Sequence, residues 1–453
     1  MTPRVGVVVL NYNGGEVTLA CLRSLLAAAA DPVPVVLVDN ASDDGIAARV
    51  RDELPAVTVI ESATNRGFAG GCNLGVRALG EVEYVALVNN DATVDAGWLA
   101  PLVGTLESDA SLGAACPKIL FADRFVELTI EAETHRRGRG DRRQLGVSVL
   151  GARTDGKEAW DRAQTVCGFW GPEPGPTAAR AEWTAASARL RVPVGGGGPH
   201  TGELLLAAAA PVRVTVASGG HRVELDVATR PTWHEVPLDG PPLTVVNNVG
   251  TDLVRGGYAA DRGYLQVDDG QFDEPQDVFA WCGGAVLLRR RYLEQVGLFD
   301  ERLFLYYEDV ELAWRGRRLG WRYRSVPAST VRHLHAATTN EGSALKRYYD
   351  ERNRLLVVAR HAPAGVALRA PFRYLLSTAS YARRDILSPL LRGRHPRPLI
   401  VRQRIRAFVG YLARLAPMLR ARRRDRRRGL EAPVWEPSWD ARPSTTAPLE
   451  PPP

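Results

Sequence analysis

From Val5 to Phe121 short apolar runs alternate with helical stretches: VGVVVLNYN, LACLRSLLAAAA, VPVVLVDNAS, a helical pattern over Asp43 to Glu53, AVTVIES, GFAGGCNLGVRALG, YVALVNND, and a helix over Gly97 to Ser108. Strands that alternate with helices build a parallel sheet covered on both faces. In such sheets ligands bind beyond the carboxyl ends of the strands. Here those ends are polar. Asn11, Tyr12 and Asn13 follow the first strand, Asp39 and Asn40 the second, Asn65 the third, and Asn89, Asn90 and Asp91 the fourth. A single Asp or Asn after a strand is usually a turn former or a helix cap. Four such ends on one edge of one sheet predict a shared polar pocket.

The pattern changes beyond Phe121. Residues 125 to 277 carry little helical periodicity and many strands. In PVRVTVASGGHRVELDV, Val212, Val214 and Val216 alternate with polar residues, and Val223, Leu225 and Val227 repeat the alternation beyond Ser218-Gly219-Gly220. That is the pattern of a hairpin with one buried face. With ARLRVPV, GELLLAA, HEVPL and LTVVNNV it predicts a β-sandwich inserted into the α/β domain. The expected order is therefore an α/β catalytic part over 1–123, the insert over 124–277 and a second catalytic part over 278–361. A helical basic extension follows over 362–430, then a Pro-rich disordered tail over 431–453.

Composition narrows the function classes. The chain has 453 residues, 45% apolar and 24% charged, with a formal net charge of +7. These are values of an ordinary globular protein. Arginine gathers late, in RRRDRRRG from Arg422 to Gly429, without the aromatic-basic interleaving of a nucleic-acid module. An anionic membrane surface is the expected acidic partner, and nucleic acid is not. Five scattered cysteines without a C-x-x-C pair argue for a reducing compartment and against a zinc site. No run of about 18 apolar residues is present to span a membrane. The expected location is cytoplasmic, peripheral on the inner face of the cell membrane.

A second cluster of carboxylates lies in FLYYEDVELAWR, where Glu308, Asp309 and Glu311 follow aromatic residues. Carboxylates favour the first turn of a helix. Glu311 with Arg315 four residues on reads as a structural ion pair.

Together VVVLNYNGG, VLVDNASDDG, NRGFAGGCNLGV, YVALVNNDATVDAGWL, CGGAVLLRR, VGLFDERLFLYYEDVELAWR and LGWRYRSVP resemble the inverting glycosyltransferases of family 2, and in particular their bacterial rhamnosyltransferase and galactofuranosyltransferase branch. The resemblance covers about Arg4 to Phe121 and Phe279 to His361. It implies a GT-A (Rossmann-like) α/β fold and a nucleoside-diphosphate sugar donor. It also implies a divalent metal, Mg2+ or Mn2+, at the diphosphate, and a glycan or lipid-linked glycan as acceptor. Residue by residue, it places Asp309 as the catalytic base. Tyr12, Asn13, Asp39, Asn65, Asn90 and Asp91 fall at the donor, Asp91 and His333 at the metal, and Glu308 at the acceptor. His335 competes with His333 for the metal role. The family's D-x-D element reads Asn89-Asn90-Asp91 here, so its first carboxylate is a neutral amide.

Two other classes compete with this reading. A sugar-phosphate nucleotidyltransferase would want a glycine-rich phosphate loop after the first strand, where LNYNGG offers only Gly14 and Gly15. A non-catalytic carbohydrate-binding protein would have no use for Asp91 and Asp309 together. A second copy of the chain remains a candidate partner.

Overall fold

A computed structural model describes residues 4–28, 33–136, 143–174, 180–196, 198–334, 343–393, 395–428 and 430. His335 and the Pro-rich tail lie outside the described residues. The chain divides into two compact units. The first lies within Met1–Leu120, Asn247–Arg262 and Gln271–Pro443, the second within Phe121–Val246 and Gly263–Gly270.

In the first unit the strands Val57–Glu61, Val35–Asp39, Val5–Asn11 and Tyr84–Asn89 lie side by side and parallel. Ala285–Arg289 joins Tyr84–Asn89 antiparallel, and Leu112–Phe121, Arg322–His333 and Asp277–Val278 extend the sheet beyond it. The strands are apolar throughout because both faces are covered. Val8, Val36, Val38, Val85 and Leu87 feed one core, and Val7, Val9, Val35, Leu37 and Val88 the other. The helix Gly67–Ala78 lies close on the first strand, and glycine is required for this. A Cβ at Gly71 would sit 2.2 Å from Leu10, and one at Gly75 2.3 Å from Val8. Register places Asn11 opposite Asp39 at the carboxyl edge.

The C-terminal helices Ala344–His361, Ala364–Ala382 and Leu399–Arg427 belong to this unit rather than forming a separate extension. Tyr374, Tyr411 and Met418 share one core with Trp281, Trp314 and Leu356. Residues 247–262, which the strand pattern groups with the insert, also pack here. Leu253 lies in the same core, and Thr251 pairs with Ala280.

The second unit is antiparallel. Its strands follow one path: His221–Val227, Val212–Ser218, Arg124–Ala132, Arg180–Val194, Val147–Thr154, Thr201–Ala208, Thr232–Pro237. The sequence pattern predicts two stacked sheets, whereas hydrogen bonding makes one continuous sheet. Val223 and Leu225 at one end of the path share a core with Val236 at the other, so the sheet coils over a single interior. The hairpin at Gly219-Gly220 forms as its alternation requires, with Ser218 opposite His221 and both glycines at positive φ.

Candidate active site

At the carboxyl edge of the parallel strands the polar side chains hold one another. Asn11, fully buried, donates from Nδ2 to Asp39 Oδ1 at 2.9 Å and to Ser42 Oγ at 3.0 Å. Its Oδ1 accepts from Thr18 Oγ1 at 2.7 Å and from Asn90 Nδ2 at 3.1 Å. Asn90 also donates to Thr18 Oγ1 at 3.0 Å, so its amide hydrogens are spent within this network. Asn13, in a left-handed conformation, accepts from the Asp43 backbone N–H at 2.9 Å. Asn40 donates to Asn65 Oδ1 at 3.1 Å, and Asn65 Oδ1 also accepts from the Gly67 N–H at 2.8 Å. Tyr12 is 47% exposed at the rim of this network, where its ring is free to stack on a planar base.

Asp91 and His333 meet although 242 positions apart in sequence. The strand Arg322–His333 pairs with Ala92–Val94 so that His333 lies opposite Ala92. His333 Nε2 sits 2.9 Å from Asp91 Oδ1, and Nδ1 sits 3.2 Å from Asn247 Oδ1. Both Asp91 and His333 are buried. Among the described residues no three His, Cys, Asp or Glu side chains converge as a metal cluster. Asp91 and His333 bring one carboxylate and one imidazole together. A carboxylate and an imidazole suit Mn2+, provided that oxygens from elsewhere complete its shell.

Asp309 opens the helix Glu308–Arg317. Its Oδ1 accepts from the Val310 N–H at 2.7 Å and its Oδ2 from the Gly283 N–H at 3.1 Å. It is half-buried. Burial pushes its pKa up to about 6, although the two N–H groups pull it down, and Asp261 adds to the rise. A carboxylate tuned this way takes a proton readily near neutral pH.

Glu308, expected at an acceptor, turns inward and is 5% exposed, with Oε2 lacking a partner. Burial, then the neighbouring Asp309, raises its carboxyl well above the usual carboxylate range. Glu311 is completely buried. Desolvation alone would raise its pKa, but Arg315, Arg360 and His361 outweigh it and hold the carboxylate ionised.

Three participants escaped the sequence pattern: Asn247, Arg352 and Asn353. The last two had a signal. In the helix Ala344–His361 they fall on the buried face between Tyr349 and Leu356, where an amphipathic helix should be apolar.

The amide-lined edge of the parallel strands, the Asp91–His333 pair and the raised Asp309 carboxylate all belong to the first unit. Residues 6–162 match the model of Glycosyl transferase family 2. Over those residues the chain resembles the family 2 glycosyltransferases, and its first unit carries the mixed α/β sheet of a GT-A fold. It is 24% identical over 410 residues to the N-acetylglucosaminyl-diphospho-decaprenol L-rhamnosyltransferase of Mycobacterium tuberculosis, from strains CDC 1551 and H37Rv alike. That alignment covers 89% of this chain and 100% of the relative. Among solved structures, GalNAc-T7 with UDP, GalNAc and Mn2+ aligns at TM-score 0.47 and 14% identity, over 84% of this chain and 51% of that one. The mannosyltransferase PcManGT of Pyrobaculum calidifontis, with GDP-Man and Mn2+, aligns at TM-score 0.41 and 14% identity, over 92% and 88%. The fold assignment rests on the family match and on the sheet itself.

Proposed function

We propose that this protein is an inverting glycosyltransferase that moves a sugar, with rhamnose as the first choice and galactofuranose as the second, from a nucleoside diphosphate to a hydroxyl of a lipid-linked glycan. The relative named for L-rhamnose transfer to a decaprenol-linked sugar supports both the donor and the acceptor class. The observation that carries the chemistry is Asp309. It is a half-buried carboxylate fixed by two backbone N–H groups, with a raised affinity for a proton.

Inversion in one displacement needs a base on the acceptor hydroxyl and a stabilised diphosphate on the far side of the anomeric carbon. Asp309 takes the hydroxyl proton as the new C–O bond forms, and the bond to the diphosphate breaks. Asp39, held by Asn11, serves the base and ribose with Tyr12, Asn13 and Asn65, and Asn90 fixes Asn11 from behind. Asp91 and His333 would hold a divalent metal, which would supply charge stabilisation to the diphosphate. One carboxylate and one imidazole alone would bind it weakly.

The enzyme sits on an anionic lipid surface through its C-terminal helices. No helix among the described residues is long and apolar enough to cross a membrane. Yet Leu368, Phe372, Leu375 and Leu376 form one exposed stripe on the helix Ala364–Ala382, followed by Leu387, Leu390 and Leu391. Exposures of 76% at Leu368 and 79% at Leu391 are far above those of packed leucines. Arg369, Arg373, Arg383, Arg384 and Arg392 flank the stripe and are exposed as well. Apolar side chains ringed by cations fit an anionic headgroup layer. The arginine run is only partly free for this role. Arg422 donates to the Ala359 carbonyl at 2.8 Å, and Asp425 is engaged by Arg318 and Arg360.

Asp309→Asn is expected to cut turnover by about 10²-fold or more while leaving donor affinity near normal, since an amide keeps the shape and loses the base. The wild-type rate should fall as pH drops through about 6, because the base must be ionised to act. Turnover above a tenth of wild type would remove Asp309 from the role. Asp91→Ala should instead weaken donor and Mn2+ binding together in calorimetry, and unchanged Mn2+-dependent donor binding would refute the metal assignment. Phosphatidylglycerol vesicles should co-sediment the wild type less as salt rises. Leu368→Ser with Leu391→Ser should weaken this binding at every salt concentration, each lost leucine removing about 1.5–3 kcal/mol of burial. No binding at low salt, or a dimer in solution that covers these leucines, would overturn the membrane reading.

A further inference from the structure

The segment Leu303 to Tyr307 delivers Asp309, and its backbone is unusual. Phe304, Tyr306 and Tyr307 have φ of 69°, 65° and 68°, a left-handed region that bulky L-residues avoid. Such a run persists only where surroundings over-determine it. Two consecutive residues of the helix Ala344–His361 do so. Asn353, wholly buried, aims Nδ2 at three carbonyl oxygens: Leu303 at 2.9 Å, Leu305 at 2.8 Å and Tyr306 at 2.7 Å. Arg352, also buried, donates from Nη2 to the same Leu303 carbonyl at 2.6 Å and to Arg302 at 3.3 Å. Its guanidinium lies over Tyr349, 4.6 Å from the centroid, and Tyr349 stacks on Phe304 at 5.2 Å.

The opposite side of the loop is tied to the donor edge. The Phe304 carbonyl accepts from the Ala69 N–H at 3.2 Å, and a Cβ at Gly67 would lie 2.3 Å from that oxygen. Gly67 in turn accepts from Asn40, the residue that holds Asn65. The loop is thus clamped between the asparagine network of the sheet edge and the Arg352-Asn353 pair.

We propose that Asn353 is a positioning residue for Asp309: its amide gathers the carbonyls of Leu303, Leu305 and Tyr306, fixing the left-handed run so that Asp309 meets the Gly283 N–H. The proposal rests on the reading of Asp309 as the base. Asn353 touches neither sugar nor nucleotide in this arrangement and acts through the loop alone. Without it, the Leu305 and Tyr306 carbonyls lose the Asn353 amide while Leu303 keeps Arg352, and the run relaxes toward ordinary φ, which swings the start of the next helix.

Asn353→Ala should lower kcat by roughly 10²-fold at saturating donor, the loss typical of a misplacement of about 1 Å. Donor dissociation, measured by calorimetry, should stay within about twofold of wild type. The acid limb of the rate profile should also move to lower pH, because a freed Asp309 gains solvent. The charged or titratable groups facing it are Glu308, Asp261 and Cys282, and none supplies a compensating positive charge. A merely structural role would scale down the active fraction and leave kcat per folded molecule and the limb unchanged, which would overturn the proposal. If Asn353→Ala does not fold, Arg352→Lys must give the same split in weaker form, since lysine loses the paired carbonyl contacts, and an unchanged kcat there would overturn it equally. Full turnover in Asp309→Asn would instead refute the base assignment, whatever Asn353→Ala does.

Discussion

Three bulky residues in left-handed conformations immediately before a helix cost on the order of 1–3 kcal/mol each, and the arrangement of the first unit makes sense as what opposes that cost. Phe304, Tyr306 and Tyr307 cannot relax because the helix Ala344–His361 grips the loop with Arg352 and Asn353 while Gly67 and Ala69 close on its other side. The same two helices are locked again one turn further on. Glu311 meets Arg315 at 2.9 Å, Arg360 at 2.6 Å and His361 at 3.1 Å, with Glu311 and Arg360 buried and Arg315 half-buried. Arg360 reaches on to Asp300 and Asp425, and Arg315 donates to the carbonyls of Val296 and Leu298. Removing one partner from such a buried set costs about 3–5 kcal/mol, because the others keep their charge without compensation. The helix Glu308–Arg317 is therefore fixed by the Asn353 amide that holds the loop before it and by ions in its first turn.

The candidate site has two electrostatic halves. At the donor edge, Asn11, Asp39, Asn40, Asn65 and Asn90 satisfy one another, which fixes the pocket wall before any ligand arrives. At the acceptor side the carboxylates are under-compensated. Burial pushes Glu308 well above the usual carboxylate range and Asp309 up to about 6, outweighing the backbone N–H groups that favour the charge of Asp309. Satisfied amides make rigid contacts, whereas a base needs an environment that does not fully stabilise its charge.

Much of this was legible in the residues. The four apolar runs followed by Asn or Asp are parallel strands, and the polar residues after them share one edge because parallel strands align their carboxyl termini. The hairpin at Gly219-Gly220 was readable because period-two alternation and a two-glycine turn specify it locally. Glu311 and Arg315 pair as their four-residue spacing suggests. What was not legible depends on contacts distant in sequence. The inward turn of Glu308 follows from φ values that no local pattern encodes. Asn353 and Arg352 look like ordinary polar helix residues until the buried face of their helix is known. Residues 247–262 read as more strands of the insert, yet Leu253 and Thr251 are claimed by the first unit.

The central claim is that Asp309 acts alone as the base in a single displacement, with no covalent glycosyl intermediate. The most direct measurement is the anomeric configuration of the product formed by wild-type enzyme from an L-rhamnosyl nucleotide of known configuration, read from the one-bond anomeric carbon–proton coupling. The account predicts a product of inverted configuration throughout the time course. A product that retains the donor configuration would require two displacements and a second nucleophile, and would contradict it.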